Sequence, residues 1–195
     1  MAVTQALSRF PASFQVSPVR SERVTKAIEK DVPAGVGESE FKTAMRQVAC
    51  SVAVITARSG KLVNGLTATA VCSVSASPPV LLVCVNKGAS AEAIIAESGS
   101  FAVNFLTEEQ HRVARLFSTS KLSPDERFAE GRWQAQVTGA PVLDGALASF
   151  DCLVEDCVPS GTHNIYFGRV VATASLDQEG LIYRDGSFRR LAPIA

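Results

Sequence analysis

The sequence predicts a mainly β domain, a barrel carrying a few short helices. Three observations lead there. About six or seven runs of strand length, apolar or alternating, are separated by Gly, Pro, Asn, Asp and Ser turn chemistry. The helical patterns between them are short and keep no βαβ rhythm, which argues against a doubly wound parallel sheet. The chain has 195 residues, 47% of them apolar, and no internal repeat. That fits one domain with one core.

Residues 1–37 differ from the rest. Pro11, Pro18, Pro33, Gly35 and Gly37 are scattered through them without a sustained apolar period. They read as a poorly ordered N-terminal extension. Arg9 and Arg20 without an acid resemble an organelle transit peptide, but no amphipathic helix or apolar secretory core accompanies them.

The domain is expected over residues 38–195. Ser39 is the predicted N-cap of a helix with Glu40 in its first turn. Phe41, Ala44, Met45 and Val48 recur at helical spacing, which predicts a face packed on the core. A strand is predicted over 50–57. Ser59-Gly60-Lys61 has hairpin chemistry and leads into a strand through Leu62. Two further strands are broken at Pro78-Pro79, a pair that belongs in a connection because proline donates nothing to a ladder. A short helix is expected over 90–98, with Ala93, Ile94 and Ala96 inward and Gly99 as its stop. A strand follows over 101–106. Thr107 then caps a helix over 108–117, with acids first and Arg112 and Arg115 later, as the helix dipole prefers. Residues 118–143 read as a long loop, a kind of segment that often carries function. A long strand over 146–158, a turn at Pro159-Ser160-Gly161 and a strand over 162–174 come next. A final hairpin turns at Asp185-Gly186.

Composition narrows the function. The formal net charge is +0, so nothing steers the chain toward nucleic acid or an anionic membrane. No apolar run reaches the roughly 18 residues a spanning helix needs. The five cysteines form no C-x-x-C pair, which reads as free thiols of a reducing, cytoplasmic compartment. Two histidines, His111 and His163, are too few for a multi-histidine metal site.

The chain is organised around Asn64–Ser90, NGLTATAVCSVSASPPVLLVCVNKGAS. Small residues and hydroxyls fill its first half, so a flat ligand can approach the backbone and find hydrogen bonds there. The Asn86–Ser90 turn opening a helix is the kind of place where an anion binds. Two buried strands with small residues on one face would look the same.

Four stretches together resemble the short-chain flavin reductases, the FMN-binding split-barrel family that serves two-component flavin-dependent monooxygenases. They are Gly65-Leu66-Thr67-Ala68-Thr69-Ala70 with Ser73-Val74-Ser75 and Pro78-Pro79; Ser98-Gly99-x-Phe101-Ala102-Val103-Asn104-x-Leu106; Arg127-Phe128 with Trp133, Gly139-x-Pro141 and Ala146-x-Ala148; and Gly161-x-His163-x-Ile165-x-x-Gly168-x-Val170 with Leu181-x-Tyr183. The resemblance implies a Greek-key split β-barrel, a homodimer, and FMN or FAD near the dimer interface. By the same resemblance Thr67, Ala68, Thr69, Ala70, Val71, Cys72, Ser73 and Val74 line the flavin. Cys84 and Val85 run along its edge, Ser90 meets its phosphate, and Phe117 stands beside it or is simply a core residue. Arg127 reaches the phosphate or forms a surface ion pair.

His163 would be the catalytic and nicotinamide-binding residue, with Asn164 a lesser candidate. Ala44, Tyr183 and Arg184 would flank the dinucleotide, NADH or NADPH. The family often places Asp before this histidine; here it is Thr162. The implied activity is hydride transfer from reduced nicotinamide to flavin, with reduced flavin passed to a partner oxygenase. No G-x-G-x-x-G follows a strand, so the dinucleotide is not held in a Rossmann domain. The alternatives are a flavin-binding module without reductase activity, or a reductase of this fold serving another acceptor such as a cobalt corrinoid.

Overall fold

The computed structural model describes residues 34–194. The predicted extension over 1–37 therefore lies, as far as Pro33, outside the described residues. The strands are β1 (Cys50–Ser51), β2 (Ala53–Ser59), β3 (Leu62–Ala68), β4 (Val71–Ala76), β5 (Pro79–Asn86), β6 (Ser100–Phe105), β7 (Trp133–Ala135), β8 (Pro141–Leu143), β9 (Ala148–Ser160), β10 (His163–Ser175), β11 (Ile182–Arg184) and β12 (Ser187–Arg189). The helices are α1 (Glu38–Met45), α2 (Glu92–Ser98), α3 (His111–Ser118) and α4 (Pro124–Phe128).

Seven strands form one antiparallel sheet in the order β3-β2-β6-β9-β10-β5-β4. Tight turns join β2 to β3, β4 to β5 and β9 to β10, while the β5–β6 link crosses two strands by way of α2. The edge strands β3 and β4 are joined by only Thr69 and Ala70. Leu66 and Ala68 of β3 and Val71 of β4 pack into the same core as Ile55, Val83, Phe101 and Tyr166. Both margins of the sheet thus meet around one interior, and the sheet is rolled into a barrel. Gly168 of β10 makes room for that interior: a Cβ there would run into Phe101 Cζ and lie 2.9 Å from Cys152 Cβ.

The middle strands are buried on both faces. Ala53, Ile55 and Ala57 point into the barrel, while Val54 and Thr56 point outward and are also buried. This is why β2 reads as a continuous apolar run rather than an alternating one. The outer cover is α3 and the β7–β8 hairpin. Buried polar groups fasten that cover. Asn104 Nδ2 donates to the Val54 carbonyl at 3.1 Å, and the Leu143 N–H donates to Asn104 Oδ1 at 2.8 Å. Asp151 accepts from the Val137 and Thr138 N–H groups, both at 2.8 Å, and from the Thr138 hydroxyl. Burying these groups costs little only because their partners are present.

Several sequence expectations change. The first helix starts at Glu38 with Gly37, not Ser39, as its N-cap. Its apolar face does not pack on the core: Phe41, Met45 and Val48 are 57%, 48% and 47% exposed. Helical spacing identifies an apolar face but not what covers it. The predicted strand over 50–57 is two strands, because Val52 between them turns away to Leu181, its N–H donating to Leu181 O at 3.0 Å. The helix expected from Ser90 begins at Glu92, and Ile94 and Ile95 are its buried residues. Residues 118–143 hold α4 and the β7–β8 hairpin. Pro159 lies within β9, past the stretch of β9 that pairs with β6, so its missing N–H is lost to no ladder on that side.

The predicted hairpin turns at Gly60 and at Asp185-Gly186 hold, whereas Pro159 and Ser160 lie in β9 and Pro79 opens β5. Gly60 takes φ 56 between β2 and β3, and Asp185 and Gly186 take φ 48 and 77 between β11 and β12. Two successive positive φ values make the turn whose twist matches a hairpin. Gly99 ends α2 at φ 64, and Thr107 forms a capping box with Gln110 ahead of α3. Among the described residues no helix is long and apolar enough to cross a membrane.

Candidate functional site

The β3–β4 joint presents most of the predicted flavin stretch to solvent. Thr69, Ala70, Cys72, Ser73 and Val74 are exposed and Val71 is half-buried. The Cys84 N–H donates to Ala70 O at 3.0 Å, so the end of β5 runs beside the joint. Three of the predicted cofactor contacts are differently employed. Ala68 and Val85 turn their side chains into the barrel core, so each could serve a ligand only through its backbone. The Thr67 hydroxyl donates to Ala114 O at 2.6 Å and fastens β3 to α3.

A polar cluster lies where β3 begins. α4 is set by Pro124 in its first turn and by a capping box in which the Ser123 N–H donates to Glu126 Oε2 at 2.8 Å. The Ser123 backbone N–H and hydroxyl also hold the Glu126 carboxyl below its usual range. The helix turns Arg127 inward, where it is only 5% exposed. Its NH1 donates to Asn64 Oδ1 at 2.7 Å, to Gly65 O at 3.0 Å and to Ser90 Oγ at 3.3 Å. Its NH2 donates to Thr119 O at 3.0 Å, and its Nε is buried with no partner. No carboxylate among the described residues pairs with this guanidinium, so the alternative of a surface ion pair is set aside.

Ser90 is exposed in front of that buried charge. Its oxygen accepts from Asn64 Nδ2 at 2.9 Å as well as from Arg127. A hydroxyl has two acceptor positions and one proton. With both acceptor positions taken, the Ser90 proton is left to donate outward, from a spot already made positive. That arrangement suits an anion, and it does not depend on a helix terminus.

Phe117, read as standing beside the flavin or as a core residue, is buried. It is 2% exposed and packs edge-on to Phe128 at 5.0 Å and tilted against Trp133 at 5.3 Å. A Cβ at Gly65 would lie 2.7 Å from its ring. Phe117 therefore braces β3 from behind, and Gly65 is the residue that lets it.

His163 opens β10, half-buried, opposite Asn86 of β5 and Ser160 of β9. The Thr162 hydroxyl lies 2.9 Å from its Nδ1. A hydroxyl can donate to or accept from Nδ1, so Thr162 contacts the imidazole without imposing one tautomer, as a carboxylate would, and without adding charge. Asn164 is committed: its Nδ2 donates to Glu92 Oε1 at 2.7 Å, an oxygen that also accepts from Tyr166 OH at 2.7 Å. Burial first, then the bond to Glu92, pushes the Tyr166 phenol well above its usual range. Burial likewise raises the Cys157 thiol, and with the Asp151 charge takes Cys152 up to about 12.

Tyr183 and Arg184 lie on β11 of a second, three-stranded sheet, β1-β11-β12, while Ala44 lies on α1. Arg46 Nε donates to Asp185 Oδ1 at 2.9 Å, and Arg184 reaches Gln47 Oε1 at 3.3 Å. Among the described residues no hydrogen bond or strand pairing joins these three to His163. Sequence reasoning passed over Asn64 and Glu92. Asn64 stood at the head of the singled-out stretch, and its amide could have marked it; nothing local marked Glu92.

Chains of known role are built the same way. FMN reductase (NADH) RutF of Cronobacter turicensis is 40% identical over 156 residues, 80% of this chain and 93% of that protein. NADH:FAD oxidoreductase SgcE6 of Streptomyces globisporus C-1027, solved with NAD and FAD fragments, superposes with a TM-score of 0.74 at 30% identity, covering 83% of this chain and 99% of that one. BorF, the flavin reductase component of a bacterial two-component tryptophan halogenase, gives 0.74 at 32%, covering 81% and 100%. The profile of the flavin reductase like domain matches residues 45–192. With the rolled antiparallel sheet and the slender joint between its margins, this places the chain in the flavin reductase like domain family.

Proposed function

We propose that this chain is an NAD(P)H:flavin oxidoreductase, with FMN and NADH as the favoured pair because the relative at 40% identity is named FMN reductase (NADH). The observation that carries the reading is the exposed Ser90 hydroxyl, whose oxygen accepts from Asn64 and from the buried, carboxylate-free Arg127. A flavin phosphate is the anion this spot fits. Asn64 fixes both partners of the phosphate, since it accepts from Arg127 and donates to Ser90. The exposed backbone of 69–74 offers close approach and N–H groups to a flat ring.

When bound, flavin supplies the two-electron chemistry, taking hydride from reduced nicotinamide. The chain's part is to bind and orient: Thr162 holds the His163 imidazole, and His163 positions the nicotinamide amide. Holding two partners in register supplies much of the rate without a side-chain base.

A homodimer is part of the reading. Phe41, Met45, Val74 and Val158 are exposed apolar side chains that a second copy would cover. Ala44, Tyr183 and Arg184, set apart from His163, would join a dinucleotide site completed across the interface. Reduced flavin would pass to an oxygenase partner in the cytoplasm, where all five cysteines stay free thiols.

The direct test is steady-state NADH oxidation by the purified chain with FMN. Bound flavin without NADH loss would leave only the binding-module reading. His163→Ala should raise the KM for NADH about tenfold, the worth of one hydrogen bond, with the KM for FMN unchanged. An equal rise in both would make His163 structural. A thiol reagent at about pH 8 should modify exposed Cys72 and spare Cys152 until unfolding. Saturating FMN should slow the Cys72 reaction; an unchanged rate would place flavin away from 69–74.

A further inference from the structure

We propose that a pocket on the outer side of the β2–β3 hairpin binds a small planar aromatic anion, separately from the flavin site. The pocket has a volume of about 320 Å³ and is lined by Arg58, Val63, Phe128, Trp133, Gln134 and Pro141 among others. That volume lies at the lower end of small-molecule sites, about 300–1,000 Å³.

Its walls are chemically specific. Phe128 and Trp133 stand 5.0 Å apart with their planes at 74°, and both are half-buried. The two rings form a corner into which a third ring fits edge to face. The Trp133 indole N–H is already used, donating to Glu130 O at 3.0 Å. The indole is thereby fixed and offers its ring rather than its donor.

The charge comes from Arg58. It pairs with Val63 across the hairpin and is exposed. Arg112, Arg132, Arg169 and Arg190 each meet a carboxylate. Among the described residues Arg58 meets none and makes no side-chain hydrogen bond. An unpaired fork of donors beside an aromatic corner selects a flat ring bearing a carboxylate or phosphate.

The pocket is not an extension of the Ser90 cluster. Successive side chains of a strand point to opposite faces. Val63 faces the pocket, so Asn64, which holds Ser90 and Arg127, faces the other way. A ring acid and the adenylate arm of a nucleotide share the required chemistry, and they can be told apart.

Trp133 is the sole tryptophan of the chain, so its emission reports on this pocket. The full-length protein, with FMN saturating throughout, is titrated with benzoate and separately with AMP. The expected result is a saturable change in tryptophan emission whose midpoint moves at least tenfold upward in Arg58→Ala, with the KM for FMN unchanged. Calorimetric titration should return the same midpoint. A response to benzoate assigns the site to free aromatic acids, and a response to AMP alone assigns it to an adenylate arm. A linear, non-saturating quench with both probes, or equal midpoints in wild type and Arg58→Ala, overturns the proposal. NADH oxidation is unaffected by either outcome, so failure here leaves the reductase reading standing.

Discussion

Replacing Arg127 with methionine should weaken FMN binding about 10- to 100-fold, the loss of a charge-assisted interaction of about 1.5–3 kcal/mol, and leave riboflavin binding nearly unchanged. Riboflavin carries the same ring and ribityl chain but no phosphate. The comparison therefore isolates the anion from every other contact. The reason for the size is burial: the guanidinium is 5% exposed, and a charge shielded from water acts strongly on its neighbours. The substitution also strips Gly65 O and Thr119 O of a donor, so the melting temperature should fall as well. Arg127→Lys keeps the charge and loses the fork, and its affinity for FMN should lie between the two. Flavin fluorescence titration reads each of these affinities. Matching losses for FMN and riboflavin would show that Arg127 holds the strand rather than the phosphate.

The second large effect concerns stability. Gly168→Ala should cost about 1–3 kcal/mol through overpacking, which lowers the melting temperature by about 2–4 °C per kcal/mol for a chain of this size. The new methyl would meet Phe101 Cζ and Cys152 Cβ well inside van der Waals contact. Phe101 is fully buried and has nowhere to withdraw. Trimming the obstacle should relieve the strain, so Gly168→Ala combined with Phe101→Leu should melt above the sum of the two single changes. Strict additivity, read by calorimetry, would mean that the two residues do not press on one another.

Most strands, two hairpin turns, the Thr107 cap and the Gly99 stop were legible because they are local. Gly60-Lys61, Gly99, Thr107 and Asp185-Gly186 each carry their conformational reason within a few residues. What could not be read is what comes from afar. α1 shows an apolar face whether or not anything covers it. The break at Val52 is invisible in the sequence around it, because it is made by Leu181, just ahead of the distant β11. Arg127 sits in a short charged helix that looks like surface, and its burial depends on Asn64 and Ser90. Phe117 has helical spacing on either reading; only Gly65, by giving way to its ring, shows which side it faces.

Only Thr69 and Ala70 separate β3 from β4, the two margins of the rolled sheet. A cofactor lying along that joint would touch both margins at once, like a clasp across the seam of a tube. Its binding free energy would then resist unrolling directly, by mass action on the closed form. Grip on the cofactor and tightness of the cylinder would be one property, so an enzyme that must release its cargo each cycle would also loosen its own wall each time it does so.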